Sequence, residues 1–448
     1  MAELLAKDGH VMKRIAVIGL GKLGAPLLAV LADSGYRVIG VDCDSVIADA
    51  MRAHRTVVAE PGLREILSHP EVQIDATEDI QSAIAGSDVS FVVVPTPSTV
   101  DGRFAADAVV LAVEKIGKAL RPLVSRHTVS IVSTLMPGDM DKKVRPALEQ
   151  SSGRKLGDGL GLCYNPAFVA LGNVVAGFRQ PDMVLIGESD ARAGDDLREI
   201  YGRLCHNQPT IQRMSLLNAE LTKLAINCFI TTKISYANML SEICGQLPGA
   251  DAALVSAAVG CDSRIGSKYI QPALGYGGPC FPRDNAALTA FARELGASAD
   301  FAEAADRVNR RQAARVVAMV RDTIASGTVA VLGLSYKPGT HVTEESQGIA
   351  IAEGLARAGY RVLVSDPAAL DAAMCVLGDR AEAVADPDAC VAAADLAIIA
   401  TPWPEFDAIP ASAFRRLSSR LTVIDCWRRE ALRAHGETIA LRYLGVAS

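Results

Sequence analysis

The sequence predicts an α/β protein with two Rossmann-like, doubly wound sheet domains, joined by a long central helix and a helical middle domain. Short Val- and Ile-rich runs alternate with helical segments at both ends of the chain, which is typical of parallel sheets covered on both faces. The middle third lacks such runs. We therefore expect domains at residues 1–212, 213–322 and 323–448.

The two ends of the chain repeat similar apolar runs in the same order, which predicts two related domains. The first set is RIAVIGLGKLG (14–24), GYRVIGVD (35–42), SDVSFVVVPTP (87–97) and HTVSIVSTLMPG (127–138). The second set is TVAVLGLSYKPG (328–339), GYRVLVSD (359–366), ADLAIIATPWP (394–404) and LTVIDCW (421–427). The shared GYRV ahead of the second run is the specific sign of duplication. A chance likeness between two generic domains of this class is the alternative.

A single long helix is predicted in the middle of the chain. Between Met214 and Gln246 there is no Pro, and the only Gly is Gly245. Apolar residues recur there at helical spacing behind Ser215, a good N-cap residue, which predicts a helix of about 30 residues. Further helices are expected at 251–260, 283–295 and 301–325. A helix of this length is also a plausible dimer seam.

Composition excludes several classes of protein. A chain of 448 residues needs two or three domains, and 50% hydrophobic with 21% charged residues is typical of a soluble globular protein. A net charge of −6 argues against nucleic-acid binding, and no apolar stretch reaches the length of a membrane span. The ten cysteines lack Cys-x-x-Cys and metal-ligand spacing, which predicts reduced thiols in the cytoplasm and no metal site. Residues 1–11 read as a polar extension, not a secretory signal.

A glycine motif predicts a dinucleotide site. GLGKLG (19–24) follows an apolar strand and precedes a helix. Gly19 would form the tight turn, Gly21 would admit a pyrophosphate, and Gly24 would pack helix on strand. Asp42 ends the second strand, where an acidic group binds a ribose 2′-hydroxyl and repels a 2′-phosphate. The cofactor predicted is NAD.

Three further residues are assigned to the same site. Leu23 lies inside the glycine motif, and Thr96 and Thr134 end later strands of the same sheet. The carboxyl edge of an open α/β sheet is where ligands bind. Either threonine could instead be an ordinary strand-end cap.

Cys280 lies in the most unusual stretch of the chain, GYGGPCFPRD (275–284). Gly275, Gly277 and Gly278 would let the backbone turn sharply and approach a ligand. A nucleophilic thiol must be partly ionised, so it requires a positively charged group nearby. A buried structural cysteine in a tight turn is the alternative.

Glu220, Lys223 and Asn227 lie at spacings of three and four on one face of the long helix. A lysine there could hold an oxyanion or move protons. A solvated face with an ordinary Glu–Lys pair is the alternative, but the apolar flanks disfavour it.

These motifs together resemble the UDP-glucose/GDP-mannose dehydrogenase family. The likeness runs from the glycine motif through AELTKLAINCF (219–229) and GYGGPCFPRD to GLSYKPGT (333–340), which is nearly the whole chain. It implies a cytoplasmic, NAD-dependent enzyme that oxidises the C6 alcohol of a nucleotide hexose to a uronic acid in two hydride transfers. It also implies a homodimer or a larger homo-oligomer.

The resemblance also implies catalytic roles. Cys280 would be the nucleophile that forms a thiohemiacetal and then a thioester. Lys223 and Asn227 would hold the oxyanion, Asp284 would take part in proton transfer, and Thr134 would place a water.

The substrate-binding set follows from the same likeness. Arg264 would reach the substrate of a neighbouring subunit, and Lys337 would contact the sugar nucleotide. The full set is Phe168, Lys223, Asn227, Arg264, Tyr269, Gly277 and Lys337.

The chain departs from the family pattern at several positions. The family segment NPEFL-E-G is NPAFVALG (165–172) here, so Ala167 and Leu171 replace two carboxylates. The first of them supports the water that hydrolyses the thioester, and loss of a general base costs about 10²–10⁴-fold. Three other departures are Gln271, His341 and Glu344.

These departures leave several hypotheses open. The reaction could stop at the aldehyde or at a slow thioester, or the substrate could be another nucleotide or nucleoside sugar. A hydroxyacid dehydrogenase of the 6-phosphogluconate type would need neither Cys280 nor a second sheet. A non-enzymatic homologue that binds nucleotide sugars is the third alternative.

Overall fold

The computed structural model describes residues 12–416 and 420–447, so the predicted extension at residues 1–11 lies outside the described residues. The chain divides into two compact units, Met1–Leu224 and Ala225–Ser448, each with its own sheet. Two sheets of mainly parallel strands covered by helices confirm the predicted fold class. The domain boundaries at residues 212 and 322 stay a prediction.

From residue 12 onward, the first unit contains eight strands. They are β1 (Arg14–Ile18), β2 (Arg37–Val41), β3 (Ile74–Thr77), β4 (Val89–Val92), β5 (His127–Ile131), β6 (Leu160–Tyr164), β7 (Met183–Glu188) and β8 (Thr210–Ser215). They form one sheet in the order β3-β2-β1-β4-β5-β6-β7-β8. The helices are α1 (Gly24–Asp33), α2 (Ser45–Arg52), α3 (Leu63–Leu67), α4 (Ile80–Ala85), α5 (Asp107–Leu120), α6 (Arg145–Ser152), α7 (Val174–Arg179) and α8 (Ala191–Leu204), with a π-helix at Met140–Val144.

Both faces of this sheet are buried. Ile15 and Val17 of β1 pack into one apolar core, and Ala16 and Ile18 pack into a second core on the other face. Alternate residues of a strand point to opposite faces, so a run that is apolar throughout requires a cover on each side.

The last two strands of this sheet, β7 and β8, run opposite to the other six. β7 runs antiparallel to β6 and pairs with it only through Gly187 and Glu188. Its first residues, from Met183, therefore extend beyond the carboxyl end of β6. The connection from β6 to β7 stays at that edge, since antiparallel neighbours need no crossover. Residues 165–182 are thereby placed at the edge where ligands bind in such sheets.

The helix α9 (Leu216–Cys244) begins in the first unit and ends in the second. It has 29 residues, close to the predicted length. The Ser215 hydroxyl accepts the N–H of Asn218 at 3.4 Å, as expected for an N-cap. No helix in the described ranges is long and apolar enough to cross a membrane.

The second unit contains further helices and a six-stranded sheet. The helices are α10 (Ala252–Cys261), α11 (Phe281–Glu294), α12 (Asp300–Arg321), α13 (Gln347–Arg357), α14 (Leu370–Leu377), α15 (Pro387–Ala392), α16 (Ala411–Phe414) and α17 (Glu430–Arg433), with 3₁₀ turns at Gly378–Arg380 and Pro404–Ala408. The strands are β9 (Thr328–Leu332), β10 (Arg361–Ser365), β11 (Glu382–Ala383), β12 (Leu396–Ile399), β13 (Leu421–Asp425) and β14 (Ile439–Tyr443). Their order is β11-β10-β9-β12-β13-β14, and every pair is parallel.

Candidate functional site

The first glycine turn (residues 19–24) has the geometry of a phosphate cradle. Gly19 has φ +94°, and a Cβ on it would lie 2.4 Å from the Val93 carbonyl oxygen. A Cβ on Gly24 would lie 1.8 Å from the Gly19 carbonyl oxygen, so helix and strand touch there. By contrast, a Cβ on Gly21 would meet nothing within 4 Å. The open space beside Gly21 is what a bound pyrophosphate requires.

Asp42 lies immediately after β2 and supports this turn. Its Oδ2 accepts the N–H of Leu20 at 2.8 Å, and its Oδ1 accepts the N–H of Asp44 at 3.0 Å. The side chain is partly exposed. A carboxylate has about four acceptor positions, so Asp42 keeps capacity for a ribose hydroxyl. These residues fit NAD, which would supply the hydride acceptor when bound.

Leu23, Thr96 and Thr134 lie around the same edge of the sheet. Leu23 precedes α1 and packs against the first apolar core. Thr96 and Thr134 follow the paired strands β4 and β5 and are partly buried. The Ser133 hydroxyl donates to the Val94 carbonyl at 2.7 Å and accepts the Val94 N–H at 3.0 Å, which ties the two strand ends together.

Lys223 and Phe168 are in contact. The Lys223 ammonium donates to the Ala167 carbonyl oxygen at 2.9 Å and lies 4.7 Å from the centre of the Phe168 ring. The lysine is 7% exposed. Its two other N–H bonds have no acceptor among the described residues. A buried ammonium with free donors can stabilise a developing oxyanion.

Glu220 has a supporting position and does not share the surroundings of Lys223. Its carboxylate accepts the N–H groups of Gly138 and Met140, each at 2.8 Å, and it is fully buried. Burial raises the pKa of Glu220 to about 7, although the two N–H bonds favour the ionised form. This residue therefore holds the turn that follows Thr134.

The segment that departs from the family, residues 165–172, is packed on the first unit. Ala167 and Leu171 both lie against its apolar core. Glu60 accepts the N–H groups of Gly172 at 2.8 Å and Val174 at 2.6 Å, so its carboxylate anchors the end of the segment.

In the second unit, the structure brings Cys280, Asp284 and Asn227 together. Cys280 is exposed and immediately precedes α11. Asp284 lies one turn along and donates its N–H to the Cys280 carbonyl at 2.9 Å. The Asn227 amide donates to Asp284 Oδ2 at 2.5 Å, and both side chains are buried. All ten cysteines lie within the described ranges, and none forms a disulfide.

The glycines of the thiol loop (residues 273–280) are packed against protein atoms. A Cβ on Gly275 would lie 2.2 Å from Asn309 Oδ1, and one on Gly277 would lie 2.3 Å from the Glu345 carbonyl oxygen. Gly278 has φ +80°, and its Cβ would meet the Tyr336 ring at 2.5 Å. Close packing inside the second unit is therefore a sufficient reason for all three glycines. The role of Gly277 in substrate binding stays a prediction.

The other predicted substrate residues of this unit lie at its surface. Arg264 is 86% exposed in its side chain and pairs with Asp262 at 2.6 Å. Tyr269 is exposed and has φ +64°, which is unusual for a residue with a side chain. The Lys337 ammonium lies 5.9 Å from the centre of the Tyr336 ring.

Sequence reasoning missed two asparagines that contact the thiol loop, Asn238 and Asn309. Asn309 lies on α12 between Ala305 and Val316, which are buried at helical spacing. A polar residue within an apolar stripe indicates a buried hydrogen bond, and this signal was present in the sequence.

Comparisons with known proteins identify the family. The NAD binding domain of the UDP-glucose/GDP-mannose dehydrogenase family matches residues 13–205, its central domain matches 217–311, and its UDP binding domain matches 330–429. UDP-glucose 6-dehydrogenase AglM of Haloferax volcanii is 36% identical over 88% of this chain and 92% of its own length. GDP-mannose 6-dehydrogenase of Pseudomonas putida is 33% identical over 79% and 80%.

A solved structure gives the same result. The UDP-glucose dehydrogenase of Pyrobaculum islandicum has a TM-score of 0.88 and 32% identity, and the match covers 99% of this chain and 100% of that one. The predicted enzyme class and cofactor are thereby confirmed. The chain belongs to the UDP-glucose/GDP-mannose dehydrogenase family and is an NAD-dependent nucleotide-sugar dehydrogenase.

Proposed function

We propose that this enzyme oxidises the C6 alcohol of a nucleotide hexose to the uronic acid, with Cys280 as the covalent nucleophile. The observation that carries the proposal is the cluster of Cys280, Asp284 and Asn227 at the start of α11. A helix N-terminus favours negative charge, so it stabilises a thiolate at Cys280.

Two molecules of NAD, bound in turn, would each accept one hydride from C6, the second after the first has left as NADH. In the first oxidation, the C6 hydroxyl loses its proton and becomes an aldehyde. Lys223 is suited to hold the oxygen on C6, because its ammonium is buried and two of its N–H bonds have no acceptor among the residues that the structure describes.

The Cys280 thiolate then adds to the aldehyde carbon and forms a thiohemiacetal. Loss of a second hydride from this carbon gives a thioester. Water cleaves the thioester, releasing the carboxylate and regenerating the thiol, and Thr134 would place that water. Covalent catalysis in this way divides one difficult oxidation into two easier steps.

Replacement of Cys280 tests the mechanism. Cys280→Ser removes the thiol, and we expect the yield of uronic acid to fall at least 10³-fold because no thioester can form. NAD binding should be unchanged. Full activity in Cys280→Ser would reject the covalent mechanism and favour direct oxidation of the hydroxyacid dehydrogenase type.

Stoichiometry decides between complete and interrupted oxidation. Ala167 and Leu171 offer no side-chain base at the two positions where the family has carboxylates, so a slow final hydrolysis is the second candidate outcome. Two NADH per substrate with steady turnover supports the uronic acid. One NADH per substrate would show that the reaction stops at the aldehyde. An acyl adduct on Cys280, detected by mass spectrometry of the intact protein, would show that it stops at the thioester.

The substrate to test first is UDP-glucose. Residues 330–429 match a UDP binding domain, and the Haloferax and Pyrobaculum relatives are UDP-glucose dehydrogenases. GDP-mannose is the second choice, from the Pseudomonas relative. NADH release should be measured across UDP-, GDP-, dTDP- and CDP-hexoses at equal concentration.

We further propose that the enzyme is a homodimer or larger homo-oligomer. One face of α9 exposes large apolar side chains at roughly heptad spacing, which a second copy would cover. They are Leu217, Leu221, Phe229, Tyr236 and Ile243. Sedimentation should give a multiple of the chain mass, and Phe229→Glu should shift it toward the monomer.

The absence of disulfides among ten cysteines supports a reducing compartment such as the cytoplasm.

A further inference from the structure

Two asparagine side chains hold the backbone at the start of the thiol loop. Asn238 Oδ1 accepts the N–H of Ala273 at 3.0 Å, and its amide donates to the Leu274 carbonyl at 3.2 Å. Asn309 Oδ1 accepts the N–H of Tyr276 at 2.7 Å, and its amide donates to the Tyr276 carbonyl at 2.9 Å. Each amide thus supplies one acceptor and one donor, the pair of bonds that a neighbouring strand would provide.

The contact of Asn309 requires a glycine on the loop. Asn309 is 9% exposed, so both of its polar atoms need protein partners. A Cβ on Gly275 would lie 2.2 Å from Asn309 Oδ1. The amide can therefore reach the backbone of Tyr276 only because residue 275 has no side chain.

The side chain of Tyr276 joins the loop to the helix that follows the thiol. Its hydroxyl donates to Asp306 at 2.5 Å, one turn before Asn309 on α12. The Asn285 amide donates to the Tyr276 hydroxyl at 2.9 Å and to Asp306 at 2.8 Å. Asn285 directly follows Asp284, so the same tyrosine is bonded to both sides of the Cys280 turn.

We propose that Asn309 is a positioning residue that fixes the thiol loop in its reactive conformation. The proposal rests on the covalent role of Cys280 given above. Between Tyr276 and Cys280 lie two glycines, which constrain the backbone weakly. The loop is therefore located by its bonds at Tyr276 together with the bond from the Gly278 N–H to the Glu344 carbonyl at 2.9 Å. A displacement of about 1 Å at a reacting atom can cost about 10²-fold in rate.

The first test is Asn309→Asp. The new carboxylate keeps the acceptor for the Tyr276 N–H but opposes the Tyr276 carbonyl with a second oxygen. We expect kcat per folded protomer to fall about 100-fold. KM for the nucleotide sugar should stay within threefold. The matched control is Gln150→Glu at the exposed end of α6, which introduces the same amide-to-carboxylate change away from the loop and should keep wild-type kcat.

A double-mutant cycle separates positioning from general destabilisation. Gly275→Ala pushes the Asn309 amide away, and we expect it to lower kcat about 100-fold in the wild-type background. In the Asn309→Ala background the same change should lower kcat less than threefold, because the clash with the Asn309 amide is absent and only the Gln347 side chain, 3.1 Å from the added Cβ, has to adjust. This cycle also serves if Asn309→Asp does not fold.

The outcomes distinguish the two proposals. Wild-type kcat in folded Asn309→Asp, or equal effects of Gly275→Ala in both backgrounds, overturns the positioning role even if Cys280→Ser is inactive. Full activity in Cys280→Ser overturns the covalent mechanism itself.

Discussion

The two sheets of this protein begin with the same turn and use it differently. In the first glycine turn, the Gly19 N–H bonds to the Val41 carbonyl at 2.7 Å. In the second glycine turn (residues 333–348), the Gly333 N–H bonds to the Ser365 carbonyl at 2.8 Å. Gly24 follows Gly19 by five positions, whereas Gly348 follows Gly333 by fifteen. The helix packs equally closely in both, because a Cβ on Gly24 or Gly348 would meet the first glycine's carbonyl oxygen.

The extra residues of the second turn contact the thiol loop. The Gly278 N–H donates to the Glu344 carbonyl at 2.9 Å, and Tyr336 lies against the same glycine. A short turn leaves space for a pyrophosphate, and a lengthened turn becomes a scaffold for another loop. The duplicated framework is retained while the function of its first turn changes.

The acidic residue after the second strand shows the same divergence. Asp42 accepts two backbone N–H groups and stays partly exposed. Asp366 is buried and accepts from Leu334, Ser335 and the Trp403 indole, among others. Its acceptor capacity is used within the domain, so it cannot bind a ribose as Asp42 can.

The largest effect is expected at the third glycine of each turn. Gly24→Ala and Gly348→Ala would place a Cβ 1.8 Å and 2.1 Å from a backbone oxygen, so each should lower the free energy of unfolding by about 3 kcal/mol. Only Gly24→Ala should also weaken NAD binding, by at least 100-fold in a fluorescence titration. Equal loss of NAD affinity in both variants would contradict the assigned division of roles.

Asp366 and Asp42 should differ in what their replacement affects: Asp366 mainly the stability of the fold, and Asp42 mainly the affinity for NAD. Asp366→Asn replaces an acceptor with an NH₂ group among several N–H donors, and we expect a loss of about 2–3 kcal/mol in the free energy of unfolding. Asp42→Asn should cost less than about 1 kcal/mol of stability but weaken NAD about tenfold. Calorimetry and NAD titration of both variants test this. A larger stability loss in Asp42→Asn would reverse the comparison.

Gly21→Ala isolates the cofactor from the fold. An added Cβ meets no protein atom within 4 Å, so the melting temperature should stay within about 1 °C of wild type. The methyl group would enter the space predicted for pyrophosphate, and NAD affinity should fall about tenfold. Unchanged affinity would show that the cofactor does not approach this glycine.

The last prediction concerns how the stability of the first unit depends on pH through Glu220. Because burial raises the pKa of Glu220 to about 7, its contribution to stability is fully present below the unfolded-state pKa near 4.5. That contribution is lost as pH rises through 7. We expect Glu220 to lower the free energy of unfolding by about 1–2 kcal/mol between pH 5.5 and 7.5. Glu220→Gln should flatten this slope, and an unchanged slope in denaturant titrations would refute the assignment.

Four strands of each sheet could be predicted from the sequence, and the others could not, including the inner strands β6 and β7. β1, β2 and β4, with β9, β10, β12 and β13, are largely apolar because both of their faces are buried, whereas β5 also buries three polar residues, His127, Thr128 and Ser130. β3 is short, and β8 carries polar residues that are largely exposed. Edge strands bury less surface, so their apolar pattern is weak. The reversed direction of β7 and β8 follows from the antiparallel pairing of β7 with β6 and leaves no sign in composition.

The sequence indicated which residues to consider for the candidate site, but not which atoms they contact. Cys280, Asp284 and Asn227 were named from motifs, and their bonds were found in the second unit. The packing around the glycines of the thiol loop was not predicted, because the space around each one is set by segments distant in sequence, such as residues 336–345. A sequence shows that a side chain is absent, whereas only coordinates show what occupies the space it would need.

The strand order has a consequence for synthesis of the chain. β1 is the inner strand between β2 and β4, yet it leaves the ribosome some 70 residues before Val89–Val92 is made. β9 waits similarly for Leu396–Ile399. During each interval a nascent apolar strand has one open edge, and such edges recruit other chains. Production of this protein should therefore benefit from slow translation or chaperone co-expression more than from added stability of the finished fold.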